Sequence, residues 1–366
     1  MQYNTGIMLT VTYWDQIKEY LPIGWESKSR ELGAFSRGRE VKTPADLLLI
    51  NLLHVTAGES FQATSSMLRL TADMSLNKNA VYERIIKSAD WLQWMSRELC
   101  VASGYMVAKP EWLGEKDVLL IDASDVALRG SKTSDYRMHY VFDLFGFTCR
   151  TFEITTIKEG EKLTRYSFSK NDIVVADRIY CTIQGIESLR ETESSFILRY
   201  KSKAFVLYDC NGKRLDLLAD IRHLKAWENT SVDCFYKVNG ELRPIRICAM
   251  KKDKEAIEQS RRKLEKKASR KQEKLVTKET LELNEYIILA TSLDYDSSQI
   301  FELYRARWQI EMVFHRLKSL FGFGEVPSKK PESVKAWFFG KLFLAALCEA
   351  IEKDSHFFPM EETREP

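Results

Sequence analysis

The spacing of apolar and polar residues divides the chain into a helical first part, a strand-rich middle and a helical end. Before about residue 112, apolar residues recur at helical spacing, and Thr43-Pro44 supplies a capping residue followed by a helix-initiating proline. From Lys116 the pattern changes to short apolar or alternating runs, which favour strands. The order of elements predicts an α/β fold, a mixed sheet with helices packed against it. The predicted strands are 118–122, 136–144, 149–157, 172–177, 195–201 and 286–291.

These elements predict four regions. Residues 1–112 form a helical N-terminal region, 113–206 the first part of a sheet-containing core, 207–291 a β-rich insertion, and 292–366 the second part of the core with a long final helix near 332–352. Two Asn-Gly pairs, at 211–212 and 239–240, indicate hairpin turns within the insertion. The final helix is either a core helix or an interface between two copies of the chain.

A strongly basic stretch runs from residue 251 to 278. It contains many more Lys and Arg than Asp and Glu and almost no large apolar residues. Such a run is either a solvated helical hairpin or a flexible arm, and its excess charge suits contact with phosphates.

Two helical segments near the N-terminus are similar to a helix-turn-helix. Residues 60–70 and 78–94 are separated by a short polar turn, and Asn77, Lys78, Asn79, Tyr82 and Arg84 are available to face DNA. Two short helices joined by a turn also occur in any small bundle, so a purely structural role stays open.

One helix near the C-terminus carries an unusual polar stripe. Tyr304, Arg307, Glu311 and Lys318 are spaced so that they follow one edge of an apolar helix face. A carboxylate flanked by cations can hold a metal ion beside a polyanion. The alternative is an ordinary Arg-Glu pair on a solvated helix.

Two further acids complete a candidate site, because Asp122 and Asp177 each follow a run of apolar strand residues. Ligands bind at the carboxyl ends of strands in such sheets. With Glu311, these aspartates would form a set of oxygen ligands suited to two Mg²⁺ or Mn²⁺ ions that support phosphodiester chemistry. The alternative is that both aspartates cap loops.

Composition narrows the class of protein. The net charge is +3, and the seven cysteines are never spaced as Cys-x-x-Cys, which argues against a disulfide framework or a zinc cluster. The apolar runs are too short or too charged to span a bilayer. We therefore expect a cytoplasmic protein without a membrane partner.

The motifs together resemble those of a bacterial DDE transposase of the insertion sequence-four family, which has a ribonuclease-H-like core. The intervals between Tyr304, Arg307, Glu311 and Lys318 match the signature of that family. Asp122 in Ile-Asp-Ala-Ser matches the first aspartate. Asp177-Arg178-Ile179-Tyr180 matches the second, with Ile in place of the family's Gly. The segments Tyr136–Tyr140, Glu159–Thr164 and Phe196–Arg199 are also similar to the family. The resemblance covers residues 33–346.

The resemblance implies roles for these residues. Asp122, Asp177 and Glu311 would be the catalytic metal ligands for two Mg²⁺ or Mn²⁺ ions. The DNA-binding residues it implies are Tyr304, Arg307, Lys318, Arg199, Arg178 and Tyr286. For Tyr286, which would stack on an extruded base, a core position is the stronger alternative; His139 is either near the site or structural.

The implied function is a DNA transposase that binds terminal inverted repeats and carries out metal-dependent cleavage and 3′-hydroxyl strand transfer by cut-and-paste. Its partners would be double-stranded DNA, as transposon ends and target, and a second copy of the chain. It would be associated with the nucleoid. Two alternatives remain from the sequence: a stand-alone metal-dependent nuclease, and a catalytically idle DNA-binding regulator.

Overall fold

The protein is described from a computed structural model that covers residues 14–58, 60–102, 109–128, 131, 133–134, 136–146, 148–201, 204–270, 277–307, 325–326 and 330–353. The helices are α1 Trp14–Glu19, α2 Trp25–Glu31, α3 Pro44–Ala57, α4 Phe61–Thr71, α5 Lys78–Lys87, α6 Ala89–Ala102, α7 Ile183–Glu191, α8 Leu217–Ile221, α9 Lys254–Arg270, α10 Lys278–Leu283, α11 (297–307) and α12 Pro331–Lys353. The strands are β1 Asp117–Leu128, β2 Tyr136–Asp143, β3 Thr148–Thr156, β4 Asp172–Ala176, β5 Ser195–Arg199, β6 Asn229–Val238, β7 Glu241–Lys251, β8 Tyr286–Thr291 and β9 Glu325–Val326.

The N-terminal helices begin where capping residues predict. The hydroxyl of Thr43 accepts a hydrogen bond from the backbone N–H of Asp46, and the Asp46 carboxylate accepts one from the backbone N–H of Thr43, which forms a capping box at the start of α3. Helix α3 packs against α12, together with α5 and α6. These helices share one apolar core with one face of the sheet.

The segment that resembles a helix-turn-helix differs from the prediction in two ways. The helix predicted over 78–94 is interrupted at Ser88, whose hydroxyl bonds to Arg84 O and accepts from Asn51. Tyr82 is also a contact of α12, because its hydroxyl donates a hydrogen bond to Glu332 of that helix. Asn77 caps α5. Much of the face proposed for DNA is therefore used for helix capping and packing.

A mixed sheet forms the centre of the molecule and confirms the predicted α/β class. Its strand order is β3-β2-β1-β4-β5-β8-β7-β6 within the described residues, and β9 pairs with β1. Strands β1, β4 and β5 run parallel, whereas β2, β3, β8, β7 and β6 join through antiparallel pairings. Apolar clusters cover both faces of the sheet. This order agrees with a ribonuclease-H-like core.

The β-rich segment continues this sheet. Strand β8 pairs with β5 of the core and with β7, while β6 and β7 form a hairpin whose turn residues Asn239 and Gly240 have φ values of 51° and 88°. Positive φ at both turn positions is what an Asn-Gly hairpin needs. Helix α9 forms most of the basic stretch.

One predicted helix and one predicted strand take their final form through packing. Helix α12 buries Trp337, Phe338, Phe339 and Phe343, so the core alternative holds for that face. Strand β1 does not end at Asp122 but continues to Leu128, because β2 pairs with it as far as Val126. Of the helices described, none combines the length and apolar character that a bilayer crossing requires.

Candidate active site and nucleic-acid interface

Three adjacent parallel strands bring Asp122, Asp177 and Arg199 into one row. Ile121 of β1 lies opposite Ala176 of β4, and Ala176 lies opposite Leu198 of β5. The next residue along each strand is therefore Asp122, Asp177 and Arg199, respectively. Neighbouring strands are about 4.8 Å apart, so residues in such a row are close neighbours. The register thus places two carboxylates and a guanidinium side by side.

All three side chains of this row belong to the same face of the sheet. Ile121, Ala176 and Leu198 belong to the apolar cluster on one face. Because side chains alternate between faces along a strand, the residues that follow them point to the other face. That second face is covered by the cluster that contains Tyr140 and Tyr304.

Two tyrosine hydroxyls contact the carboxylates. Tyr140, the cross-strand partner of Asp122, donates to Asp122 Oδ2 at 3.1 Å. Tyr304, from α11, donates to Asp177 Oδ1 at 3.5 Å. Both aspartates are half-buried. In such a setting, each hydrogen bond that a charged carboxylate oxygen accepts stabilises it.

The electrostatic environment keeps the Tyr304 hydroxyl protonated. Burial raises the pKa of Tyr304, and the neighbouring Asp177 raises it further, while Arg307 and Arg199 act in the opposite direction. Since the balance is upward from an already high value, the group is a hydrogen-bond donor at neutral pH. Arg199 is therefore a neighbour of both Asp177 and Tyr304.

Arg307 lies one helical turn beyond Tyr304, as its spacing predicts. Its guanidinium carbon is 5.1 Å from the centroid of the Tyr304 ring, and the side chain is buried, with 7% of the residue exposed. The tyrosine ring and the guanidinium thus stack as a unit beside Asp177. The two remaining members of the stripe, Glu311 and Lys318, lie outside the described residues.

Sequence reasoning did not assign a role to Glu161 or Tyr140. Glu161 is half-buried, lies 3.5 Å from the guanidinium of Arg137, and has its pKa raised by burial, with Asp122 and Asp125 raising it further and Arg137 acting against them. Both residues belong to phrases that resemble the family, Glu159–Thr164 and Tyr136–Tyr140, and this is the only sequence signal that pointed to them.

Tyr286 and His139 are placed apart from this row. The Tyr286 ring is buried, 3% exposed, in the cluster on the opposite sheet face, where the Lys251 ammonium lies 5.4 Å from its centroid. This is the core position that the sequence left open, and a stacking role would require the ring to leave it. His139 is fully buried and its Nε2 lies 2.8 Å from Thr155 Oγ1, a structural contact.

The donor set suits a hard divalent cation. Asp122 and Asp177 supply carboxylate oxygens, and no thiol or imidazole belongs to the row, which favours Mg²⁺ or Mn²⁺ over zinc. Within the part of the chain that the structure describes, no three His, Cys, Asp or Glu side chains are close enough to hold a metal ion. The third ligand predicted from the sequence, Glu311, is outside that part.

The strand order of the sheet and the residues of the candidate site together define a class of protein. Paired aspartates on neighbouring central strands of a ribonuclease-H-like sheet, with cations beside them, are typical of enzymes that carry out metal-dependent phosphoryl transfer on nucleic acid. Residues 113–348 match the family described as "Transposase DDE domain". The chain belongs to the DDE transposase family, whose members are enzymes that cleave DNA and transfer its strands.

Similar proteins agree with this family. InsL, a transposase by name, from insertion sequence element IS186A of Escherichia coli strain K12 is 27% identical over 357 residues, covering 94% of this chain and 95% of that protein. The transposase of element IS421 of Escherichia coli is 27% identical over 358 residues, with the same coverage. A segment of 68 residues, 19% of this chain, is 38% identical to the transposase of element IS231F of Bacillus thuringiensis subsp. israelensis, of which it covers 14%. These likenesses are consistent with the insertion sequence-four family.

Proposed function

We propose that the chain binds the terminal inverted repeats of a bacterial insertion sequence, cleaves the DNA at those ends, and joins the freed 3′-hydroxyl to target DNA by cut-and-paste. The observation that carries this proposal is the row of Asp122, Asp177 and Arg199 on one sheet face, with Tyr304 against Asp177. Carboxylates for metal and cations for phosphate lie next to each other, as strand cleavage and joining require.

Asp122 and Asp177 would hold two Mg²⁺ or Mn²⁺ ions together with Glu311. When bound, such ions activate a water or a 3′-hydroxyl and stabilise the leaving oxygen of the phosphodiester. Tyr140 and Tyr304 keep the two carboxylates oriented through their hydroxyls. The side chains thereby hold the ligand oxygens in one arrangement before DNA arrives.

The cations position the DNA. Arg199 lies beside Asp177 in the row, and Arg307 stacks on the ring of Tyr304, whose hydroxyl contacts the same carboxylate. Arg178 is exposed in the turn that follows Asp177. Guanidinium groups bind phosphates through paired hydrogen bonds and so fix the register of the backbone. We assign Lys318 to the same group of DNA contacts on the basis of its spacing in the signature.

Two ends have to be brought together for cut-and-paste, so we propose that the chain acts as a homodimer on DNA. Each copy would place one end in its own row of Asp122, Asp177 and Arg199. Size-exclusion chromatography with light scattering, with and without end DNA, measures this directly. A complex of two protein chains and two DNA ends is expected; a stable complex of one chain with one end would contradict it.

Strand joining distinguishes this proposal from a stand-alone nuclease. We expect the purified protein to join a precut end carrying a free 3′-hydroxyl to a supercoiled plasmid in the presence of Mg²⁺. The same duplex with a 3′-dideoxy terminus is the matched control, because it lacks the attacking group. Cleavage of intact ends without any joining of precut ends would identify a nuclease, and neither cleavage nor joining would identify an idle DNA-binding protein.

A further inference from the structure

Lys252 lies beyond the row of Asp122, Asp177 and Arg199 at the same end of the sheet. Leu289 of β8 pairs with both Arg199 and Cys248, and Lys252 comes four residues after Cys248. It directly follows β7, which is joined to β5 through β8. Cys248 and Met250 belong to the apolar cluster on the Tyr304 face, and by alternation Lys252 points to that face too. The side chain is buried, with 8% of the residue exposed.

The ammonium group of Lys252 connects three segments. It donates to Ser260 Oγ in α9 at 2.9 Å and to the backbone oxygen of Asn284 at 2.5 Å. The backbone N–H of Lys252 donates to Glu285 O at 3.0 Å, next to the start of β8. A buried cation with these partners fixes the first turns of the basic helix α9 to the edge of the sheet.

The charges around Lys252 are mostly of its own sign. Arg199 from β5 and Arg178 from the turn after β4 act on it electrostatically, and Glu285 before β8 opposes them. Helix α9 contributes Ser260 and also Arg261, whose guanidinium is ion-paired with Glu285 at 2.8 Å. Burial, with smaller contributions from Arg199 and Arg178, lowers the pKa of Lys252 to about 8. Lys252, Arg178 and Arg199 thus share one acid that is already paired with Arg261, an arrangement that a polyanion would stabilise.

We propose that Lys252 is a positioning residue for the transposase reaction: it clamps the basic helix α9 to the sheet edge and supplies a third cation to a phosphate site formed with Arg178 and Arg199. This inference rests on the proposed function, since it assumes that the DNA backbone crosses this edge. It adds a residue that neither the signature motif nor the paired aspartates identified.

If Lys252 contributes to a phosphate site, the protein takes up protons when it binds DNA. A purely structural lysine would not produce this uptake. Near pH 8 the ammonium is about half protonated in the free protein, and a phosphate beside it favours the charged form, so binding takes up as much as about half a proton. As the pH rises from 7 to 9.5, the DNA affinity of the wild-type protein therefore falls because protonation must accompany binding. An arginine at this position stays charged throughout that range.

The experiment measures the affinity for element-end DNA by fluorescence anisotropy between pH 7 and 9.5. Proton uptake is measured at pH 8 by calorimetry in two buffers of different ionisation enthalpy. The proteins are wild type, Lys252→Arg, Lys252→Met, Ser260→Ala, and Lys213→Met as a control at an exposed lysine in a hairpin turn. Thermal melting shows which variants are folded.

Relative to Lys213→Met, we expect Lys252→Met to bind about tenfold more weakly at pH 7 and to lose the proton uptake. Lys252→Arg should bind with an affinity that changes less with pH than that of the wild type. Ser260→Ala retains the charge and should keep the uptake even if its fold is less stable. Wild-type affinity and wild-type uptake in a folded Lys252→Met protein would overturn the inference while leaving the proposed function intact. Failure of the wild-type protein to prefer element ends over scrambled duplex would instead count against the proposed function.

Discussion

At the scale of single residues, the site depends on hydroxyl groups that orient charged partners. Tyr304 illustrates this, because one side chain contacts Asp177 through its hydroxyl and Arg307 through its ring. The proposed metal ligand Asp177 and the proposed phosphate-binding group Arg307 thus contact the same tyrosine side chain. Tyr140 donates a hydrogen bond to Asp122 from the neighbouring strand.

Replacing Tyr304 by Phe tests this arrangement. The ring and its stacking with Arg307 remain, but the donor to Asp177 is lost, and a hydrogen bond to a charged group contributes about 1.5–3 kcal/mol. We expect cleavage of element ends to fall by roughly tenfold to a hundredfold, with DNA affinity changed less. The matched control is Tyr295→Phe, which alters a ring packed on Trp112. Equal cleavage rates for the two variants would remove Tyr304 from the site.

His139 gives a prediction about stability and pH. Burial, with a smaller contribution from Arg165, lowers the pKa of His139 to about 4. The folded state therefore favours the neutral ring, and its contribution is present above the unfolded value near 6.5 and is lost as the pH falls toward 4. We expect the free energy of unfolding to fall by up to about 3 kcal/mol over this interval because of His139.

Chemical denaturation at a series of pH values measures that effect. The variant His139→Gln should lose stability less steeply between pH 6.5 and 4 than the wild type. His223→Gln, at an exposed histidine, serves as the control and should follow the wild-type slope. Parallel curves for all three proteins would show that His139 does not titrate in this interval.

At the scale of elements, one side chain ties four strands together at the sheet end opposite the site. Arg150 of β3 bonds to Asp117 at the start of β1, to Asp143 of β2 at 3.4 Å, and to Asp172 of β4 at 2.9 Å. Asp143 and Asp172 are buried. The register that aligns Asp122 with Asp177 is thus also held by charge at the other end of the same strands.

The substitution Arg150→Met leaves three carboxylates close together without their common cation. Removing one partner of a buried ion pair is costly, and the partial exposure of Arg150 reduces the penalty, so we expect a loss of about 1–3 kcal/mol in the free energy of unfolding. Arg243→Met breaks an exposed pair with Glu241 and should change stability by less than about 1 kcal/mol. Urea denaturation of both proteins measures the difference; equal midpoints would contradict the role given to Arg150.

Local sequence patterns predicted most of the elements but not the pairing between them. The strand β8 was predicted with its observed bounds, 286–291, because an apolar run is bounded by polar residues on both sides. Strand β1 was predicted too short, since Ser124 and Asp125 look like loop residues until β2 supplies Met138 and Arg137 opposite them. The interruption at Ser88 likewise depends on Asn51, a residue far away in sequence.

Only the residues of the candidate site that belong to sequence motifs could be predicted. Asp122, Asp177 and Tyr304 were identified from strand ends and helical spacing, and the structure brings these three together with Arg199. Lys252 and Glu161 were not identified, because their proximity to the row depends on strand order and on a loop contact. Spacing along one element can be read from sequence, whereas proximity between elements cannot.

At the scale of the whole molecule, acidic and basic side chains of the candidate site come from different strands of one continuous sheet. Asp122 lies within β1 and Asp177 directly follows β4, whereas the cations are contributed by the last residue of β5 and by the residue after β7. The net charge of +3 does not reveal this division, which concentrates acid at the proposed metal site and base at the proposed phosphate contacts.

The most direct test of this account is metal-dependent cleavage of the element's own ends by Asp122→Asn and Asp177→Asn. Each variant keeps the shape of the side chain but removes the charge that a divalent cation needs. Asp294→Asn, at an exposed aspartate in the connection before α11, is the control. Reactions contain Mg²⁺, Mn²⁺ or a chelator, and DNA affinity is measured in parallel.

We predict that the wild-type and Asp294→Asn proteins cleave only with Mg²⁺ or Mn²⁺. Each of the other two variants should lose at least about a hundredfold in rate, or about 2.7 kcal/mol, while still binding the ends. Cleavage at the wild-type rate by either Asp122→Asn or Asp177→Asn, or undiminished cleavage in the chelator, would contradict the assignment of this site.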